Sequence, residues 1–174
     1  MALKLCLVNI DKMKYNVRGD CMKDFIKDIL SFFVFLKYKN IWNIKNKLVA
    51  EKKESGILAT VYDHYIHKEG GYVGIRAKFA NKPYMPHGFM GVFISDMTEI
   101  GKNAVIFQHV TIGADRLLDS NNQGNPKIGD NVYIGAGAKI IGNVTIGNNK
   151  LVKVFNKSTT PYSSLLNTAV YTGN

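Results

Sequence analysis

Ile128-Gly-Asp-Asn-Val-Tyr-Ile-Gly-Ala-Gly-Ala-Lys-Ile-Ile-Gly-Asn-Val-Thr-Ile-Gly147 is the stretch that decides the fold. An aliphatic residue recurs at every sixth position, at Ile128, Ile134, Ile140 and Ile146, and the series runs on to Val152. An earlier series with the same spacing contains Ile94, Ile100, Ile106 and Ile112. Glycine follows many of these directly, at Gly101, Gly113, Gly129, Gly135 and Gly147. Two residues before the aliphatic position stands a small or β-branched residue: Thr98, Ala104, Val110, Val132, Ala138 or Val144. A period of six matches neither an α-helix nor a half-buried strand. It fits a chain wound into a triangular coil with three short parallel strands per turn. Each six-residue unit then makes one flat face and one corner. The aliphatic side chain points inward and stacks on its equivalent in the next coil, so no coil is stable alone. Asn103, Asp130, Asn131, Asn148 and Asn149 collect at the expected corners, where Asn and Gly tolerate left-handed backbone. A β-sandwich, the competing reading, has no fixed short period.

The series breaks once. Ile112 and Ile128 are 16 residues apart, ten more than the period, and the insert Ala114 to Lys127 is polar. A loop thrown out of a rigid solenoid is a common place for function, although a tolerated surface insertion reads the same way.

Composition bounds the rest. The chain has 174 residues, 46% hydrophobic and 21% charged, which suits one domain with a small appendage. Only Cys6 and Cys21 are present, too few for a disulfide scaffold, and they fit a reducing compartment. The longest apolar run, Ile29 to Leu36 interrupted by Ser31, is far short of the ~20 residues of a spanning helix. The start, Met1-Ala-Leu-Lys4, does not read as a signal peptide, so a cytoplasmic location is expected; Met13 and Met22 are alternative starts. The net charge is +10, of which residues 1–80 hold +7 (15 Lys+Arg, 8 Asp+Glu). The lysines are scattered and no nucleic-acid motif accompanies them, so no nucleic-acid partner is expected. Simple solubility accounts for the charge equally well.

Phe25, Ile29, Phe32, Phe33 and Leu36 fall at three- and four-residue spacings, which predicts a helical region over 22–53. The expected role is packing on the coil or on another subunit; the alternative is peripheral contact with a membrane through a basic amphipathic helix. Gly70-Gly71 ends this part. The expected organisation is an N-terminal helical region over 1–70, a β-helix over 71–155 and a divergent tail over 156–174.

From Val110-Thr-Ile-Gly-Ala114, through the polar loop, to Gly147, the chain resembles the serine acetyltransferase branch of the hexapeptide-repeat acyltransferases. The close resemblance covers about residues 84–149. It implies a left-handed parallel β-helix that forms a homotrimer. It also implies transfer of an acetyl group from acetyl-CoA to a hydroxyl, without a metal, at sites between neighbouring subunits. The family's catalytic His corresponds to His87 in Met85-Pro-His-Gly88, and three extra residues around Gly88 to Met90 restore the phase with Ile94. Gly113, Ala114, Gly135 and Ala136 match the small positions along which the family lays the CoA arm. Two departures bear on the acceptor. Pro86 stands where the family has an Asp, and Gly124-Asn-Pro126 stands where it has Arg-His-Pro. The expected acceptor is therefore serine or, equally, a sugar or polysaccharide unit. After Asn149 the tail departs too, with one coil shortened or replaced.

The chemistry asks for a base near pH 7, because a free hydroxyl is a poor nucleophile, and neutral imidazole suits it. Backbone N–H groups at a Gly-rich corner can hold the oxyanion. His109 is a second candidate, read as a surface residue. His64 and His67 share a helix face, with no third ligand to complete a metal site. Lys139 or Lys150 could meet a phosphate. The competing functions are a non-catalytic β-helix serving assembly or binding, and a γ-class carbonic anhydrase, for which the four His make no convincing ligand set.

Overall fold

Parallel pairing between strands distant in sequence organises the chain. The structure is a computed structural model and describes residues 17–153 and 171–172. The expectations for Cys6, Met13 and most of the tail lie outside them. The helices are α1 (Val17–Tyr38), α2 (Ile41–Glu51) and α3 (Ile57–Lys68). Among the described residues twelve short strands follow in three sheets. The first holds β1 (Tyr72–Val73), β3 (Phe93–Ile94), β6 (Thr111–Gly113) and β9 (Lys139–Ile141). The second holds β2 (Lys78–Phe79), β4 (Glu99–Ile100), β7 (Lys127–Ile128) and β10 (Thr145–Ile146). The third holds β5 (Val105–Ile106), β8 (Tyr133–Ile134), β11 (Leu151–Lys153) and β12 (Tyr171–Thr172), with Tyr84 bridging to Val105. The chain visits the sheets in rotation and returns to the first one rung further on.

The register stacks the inward residues in columns. Ile94, Ile112 and Ile140 pair in the first sheet, Ile100, Ile128 and Ile146 in the second, and Ile106, Ile134 and Val152 in the third. These are the nine aliphatic positions of the six-residue series, and none is more than 4% exposed. Each contributes roughly 1.5–3 kcal/mol of burial. The column needs a strand only two or three residues long on each face, because the neighbouring coils supply the pairing.

Corners carry the strain. Between the second and third sheets, Asn103, Asn131 and Asn149 adopt φ of 56°, 55° and 57°. Their amides form a ladder: Asn81 Nδ2 donates to Asn103 Oδ1 (3.0 Å), Asn103 Nδ2 to Asn131 Oδ1 (3.0 Å), and Asn131 Nδ2 to Asn149 Oδ1 (2.9 Å). One residue type thus supplies both the left-handed backbone and the satisfied polar group. The third sheet ends differently: β12 pairs with β11 in antiparallel fashion, so the parallel winding does not continue there.

Helices α2 and α3 pack on the first coil. Trp42 lies against Phe79 and Phe89, with ring centroids 5.1 and 6.0 Å apart. The Tyr62 hydroxyl donates to the Val73 carbonyl (2.9 Å). Lys45 is buried and its Nζ donates to the carbonyls of Gly74 (2.9 Å) and Ile75 (2.6 Å). These carbonyls belong to the first corner, which has no coil before it.

Two expectations for the helices need correction. The predicted helical region over 22–53 is two helices, broken where Lys39 turns to φ 67° and Asn40 caps α2 by accepting from the Asn43 N–H (3.0 Å). The apolar stripe of α1 does not pack on the coil. Phe25, Ile29, Phe32, Phe33 and Leu36 are all exposed. The covered face instead holds Lys27, Leu30, Ser31, Val34, Phe35 and Tyr38, with Phe35 5.0 Å from the Tyr65 ring. Spacing locates a stripe on a helix but does not say which side meets the core.

Burial lowers the Lys45 pKa from 10.5 to about 8. Between these values the unfolded chain holds a proton that the folded chain has shed, so folding stability rises with pH across this window. Relative to Lys45→Met, the wild type should gain up to about 3 kcal/mol from pH 8 to 10.5 in urea unfolding experiments. Parallel pH profiles of the two proteins would refute the assignment.

Candidate active site

Pro86 to Gly91 is the one place in the first two coils where the period of six fails. Nine residues, not six, separate half-buried Met85 from inward Ile94. The extra residues form a turn at the corner between the third and first sheets. Gly88 (φ 59°) and Gly91 (φ 62°) supply its left-handed positions. Phe89 anchors the turn inward, 7% exposed and packed on Trp42. The Gly91 N–H donates to the Gly70 carbonyl (2.9 Å), tying the turn to the end of α3. His87 stands on the outside of this turn, exposed, with its ring 5.9 Å from Phe107. Phe107 in turn lies 5.0 Å from Tyr133.

His109 occupies the same corner one coil later, exposed, with φ 58°. Its ring lies over Gly91: a Cβ added there would collide with His109 Nδ1. The His109 carbonyl accepts from Lys139 Nζ (3.0 Å), which also donates to Thr111 Oγ1 (2.8 Å). Lys139 is thereby held on the outer face of the first sheet.

Gly135 and Ala136 lie on this same corner, two coils beyond His87, a separation of roughly 10 Å at ordinary strand spacing. A Cβ on Gly135 would come 3.1 Å from the Val152 carbonyl, so close approach of the next coil already favours glycine there. Gly113 and Ala114 lie on a different corner, between the first and second sheets, where the loop over 114–126 leaves the coil. A Cβ on Gly113 would meet only ordinary contacts, so packing does not demand this glycine. The N–H groups of Ala114 and Ala136 donate to no described residue. Each corner therefore offers a free donor beside a small side chain, which suits an extended ligand carrying carbonyls. One chain, however, places the candidate base and Gly113–Ala114 on separate edges.

The loop is ordered by its own polar groups. Asp115 and Gly124 exchange backbone hydrogen bonds of 3.0 Å. The Ser120 hydroxyl and the Leu117 N–H donate to the Asp115 carboxylate and hold its pKa below the ordinary value. Leu118 projects almost fully exposed.

Two oxygens went unnoticed in the sequence. Gln108 Oε1 and Asn125 Oδ1 are buried and accept from no described residue. Such an orphan costs roughly 1–3 kcal/mol unless a donor arrives from outside. Spacing carries no signal for this; Asn125 was visible only as the residue in place of a family His.

The remaining histidines belong to the helices. His64 Nε2 is 3.0 Å from Asp28 Oδ1, and His67 Nδ1 is 2.7 Å from the Asp63 carbonyl. Among the described residues no group of three or more His, Cys, Asp or Glu is placed to hold a metal ion.

Comparison with known proteins agrees with this architecture. The family model for bacterial transferase hexapeptide (six repeats) matches residues 125–149. No curated protein matches the chain. Serine acetyltransferase isoform 3 from Entamoeba histolytica, solved with cysteine, is 30% identical with a TM-score of 0.52, over 63% of this chain and 39% of that one. The Neisseria gonorrhoeae serine acetyltransferase is 18% identical with a TM-score of 0.53, over 67% and 49%. A serine acetyltransferase in complex with CoA is 21% identical with a TM-score of 0.51, over 64% and 52%. This chain thus spans about two-fifths to one-half of the length of the structures it matches. It is similar to the hexapeptide-repeat acyltransferases, and among them to the serine acetyltransferases.

Gly91 and Gly88 share a left-handed φ, but only Gly91 faces a ring. Both Gly→Ala substitutions should cost about 1 kcal/mol from backbone strain. Gly91→Ala should cost more and shift the His109 ring resonances in NMR spectra. Equal losses with unmoved His109 signals would contradict this packing.

Proposed function

We propose that the chain is an acetyl-CoA-dependent O-acetyltransferase built on a left-handed β-helix, with His87 as general base. The observation that carries the reading is the place of His87. It stands on the one turn in the first two coils that leaves the hexapeptide period, held by Phe89 and two left-handed glycines, and its ring faces outward. Acetyl-CoA is a substrate here and needs no resident metal. The imidazole accepts the acceptor's hydroxyl proton as oxygen attacks the thioester carbonyl. The tetrahedral oxyanion needs fixed donors, and the Ala114 and Ala136 N–H groups, which donate to no described residue, are candidates. Collapse releases the CoA thiolate, and the imidazolium returns the proton to sulfur. His87 is uncharged at the start of the cycle in this scheme.

We place the complete site between copies in a homotrimer. The support is geometric: His87 and Gly113–Ala114 stand on different edges of the coil, so a neighbour's edge must bring the second set to the first. Gln108 Oε1 and Asn125 Oδ1 then become acceptors for donors on the ligand or the neighbouring copy. The acceptor is a small hydroxyl compound, serine or a sugar unit. Pro86 in place of an acidic partner and Gly124 in place of the family's carboxylate-holding Arg favour the less demanding sugar hydroxyl.

Isothermal titration of acetyl-CoA into the purified protein should show about one saturable site per subunit. His87→Ala should lower turnover by roughly 10²–10⁴-fold while leaving the oligomer and acetyl-CoA binding intact. Full activity in that variant would remove His87 as the base. A folded trimer that binds no acetyl-CoA would instead indicate a non-catalytic assembly or binding protein.

A further inference from the structure

Helix α1 carries large apolar residues on its uncovered face as well as on its covered one. Met22, Phe25, Ile26, Ile29, Phe32, Phe33 and Leu36 are 44–65% exposed, all on one side. At 100° per residue they fill an arc of about 120° centred on Ile29 and extend about 21 Å along the helix. The face turned to α2 and α3 holds Lys27, Leu30, Ser31, Val34, Phe35 and Tyr38, so it is largely apolar as well. Seven large side chains at these exposures make a contiguous apolar patch of several hundred Å², which soluble monomers rarely leave bare. No described helix is long and apolar enough to cross a membrane.

We propose that α1 lies in the interface of an anionic lipid surface, with this stripe inserted among the acyl chains and its flanking lysines at the headgroups. Charge complementarity selects the occupant. One edge of the stripe carries Lys37 and, engaged within the chain, Lys23; Lys39 follows at the helix end. The other edge carries Asp24 and Asp28, whose charges are already taken. Lys27 Nζ is 3.0 Å from Asp24; Lys68 Nζ and His64 Nε2 are 2.8 and 3.0 Å from Asp28. The whole stretch 1–39 has eight Lys+Arg against four Asp+Glu. Three phenylalanines among the seven stripe residues suit the headgroup–acyl boundary. A second copy suits the stripe less well. Antiparallel two-fold pairing through it sets the Lys23–Lys37 edge of one helix along the same edge of the other. The helices that follow α1 pack on the first coil, which also carries His87. The lipid surface therefore lies at the candidate base's end of the coil, and a lipid-anchored acceptor would be presented there.

The test uses the full chain and sedimentation with vesicles of phosphatidylcholine, with or without phosphatidylglycerol. Wild type should co-sediment with the anionic vesicles and release at high salt. Phe32→Ser/Phe33→Ser changes two exposed residues, so melting should be unaltered while partitioning falls roughly tenfold or more. Lys37→Glu/Lys39→Glu should weaken binding to anionic vesicles alone. Acetyl-CoA binding and turnover of a soluble acceptor should be unchanged in both variants, which separates this proposal from the proposed activity. Absence of vesicle binding overturns it. So does equal binding to neutral and anionic vesicles. A particle mass by light scattering that drops in Phe32→Ser/Phe33→Ser, without vesicle binding, would overturn it in favour of a second copy on the stripe.

Discussion

In-register stacking of inward aliphatic side chains is the constraint on which everything else depends. A two-residue strand has almost no stability of its own. Here Ile100, Ile128 and Ile146, and the two parallel columns like them, bury one another while the backbone pairs along the same direction. Each face must then be of equal length, or the next column would lose register. That requirement forces a corner every six residues, and the corner forces the left-handed backbone that Asn103, Asn131 and Asn149 adopt. The asparagine ladder is the consequence of the column rather than an independent motif.

A corner can lengthen freely only outward. The turn at His87 and the loop over 114–126 both obey this rule: each leaves at a corner and returns in phase. Both departures gather side chains that the core does not need. His87 and the orphan oxygen of Asn125 are of this kind, and they are the groups for which a ligand or a neighbouring copy is the natural partner. The coil thus separates its tasks, with stability on the faces and recognition at the edges.

The first coil has a neighbouring coil on one side only. Its exposed carbonyls at Gly74 and Ile75 are met by Lys45, and Val73 by the Tyr62 hydroxyl. A buried ammonium is a costly way to close an end, but it supplies several donors at one point. The helices that bring these groups also bury aliphatic residues, Ile41, Ile44 and Leu48 on α2 and Ala59, Val61 and Ile66 on α3.

The repeat was legible because it is local and reiterated. Six residues are enough to state it, and nine aliphatic positions repeat it, so the inward columns, the small corner residues and the position of the loop all follow from spacing. His87 was singled out by the family resemblance rather than by spacing. Other features depend on long-range packing and leave no local trace. Spacing could not say that α1 and α2 separate at Lys39, which turns left-handed so that both helices can reach their contacts. Nor could it say that the stripe from Met22 to Leu36 faces outward, since a helix periodicity is the same whichever side is covered. The distribution of the candidate residues over two corners was equally hidden. It depends on how many faces lie between them once the chain has wound, and only the stacked coil defines that.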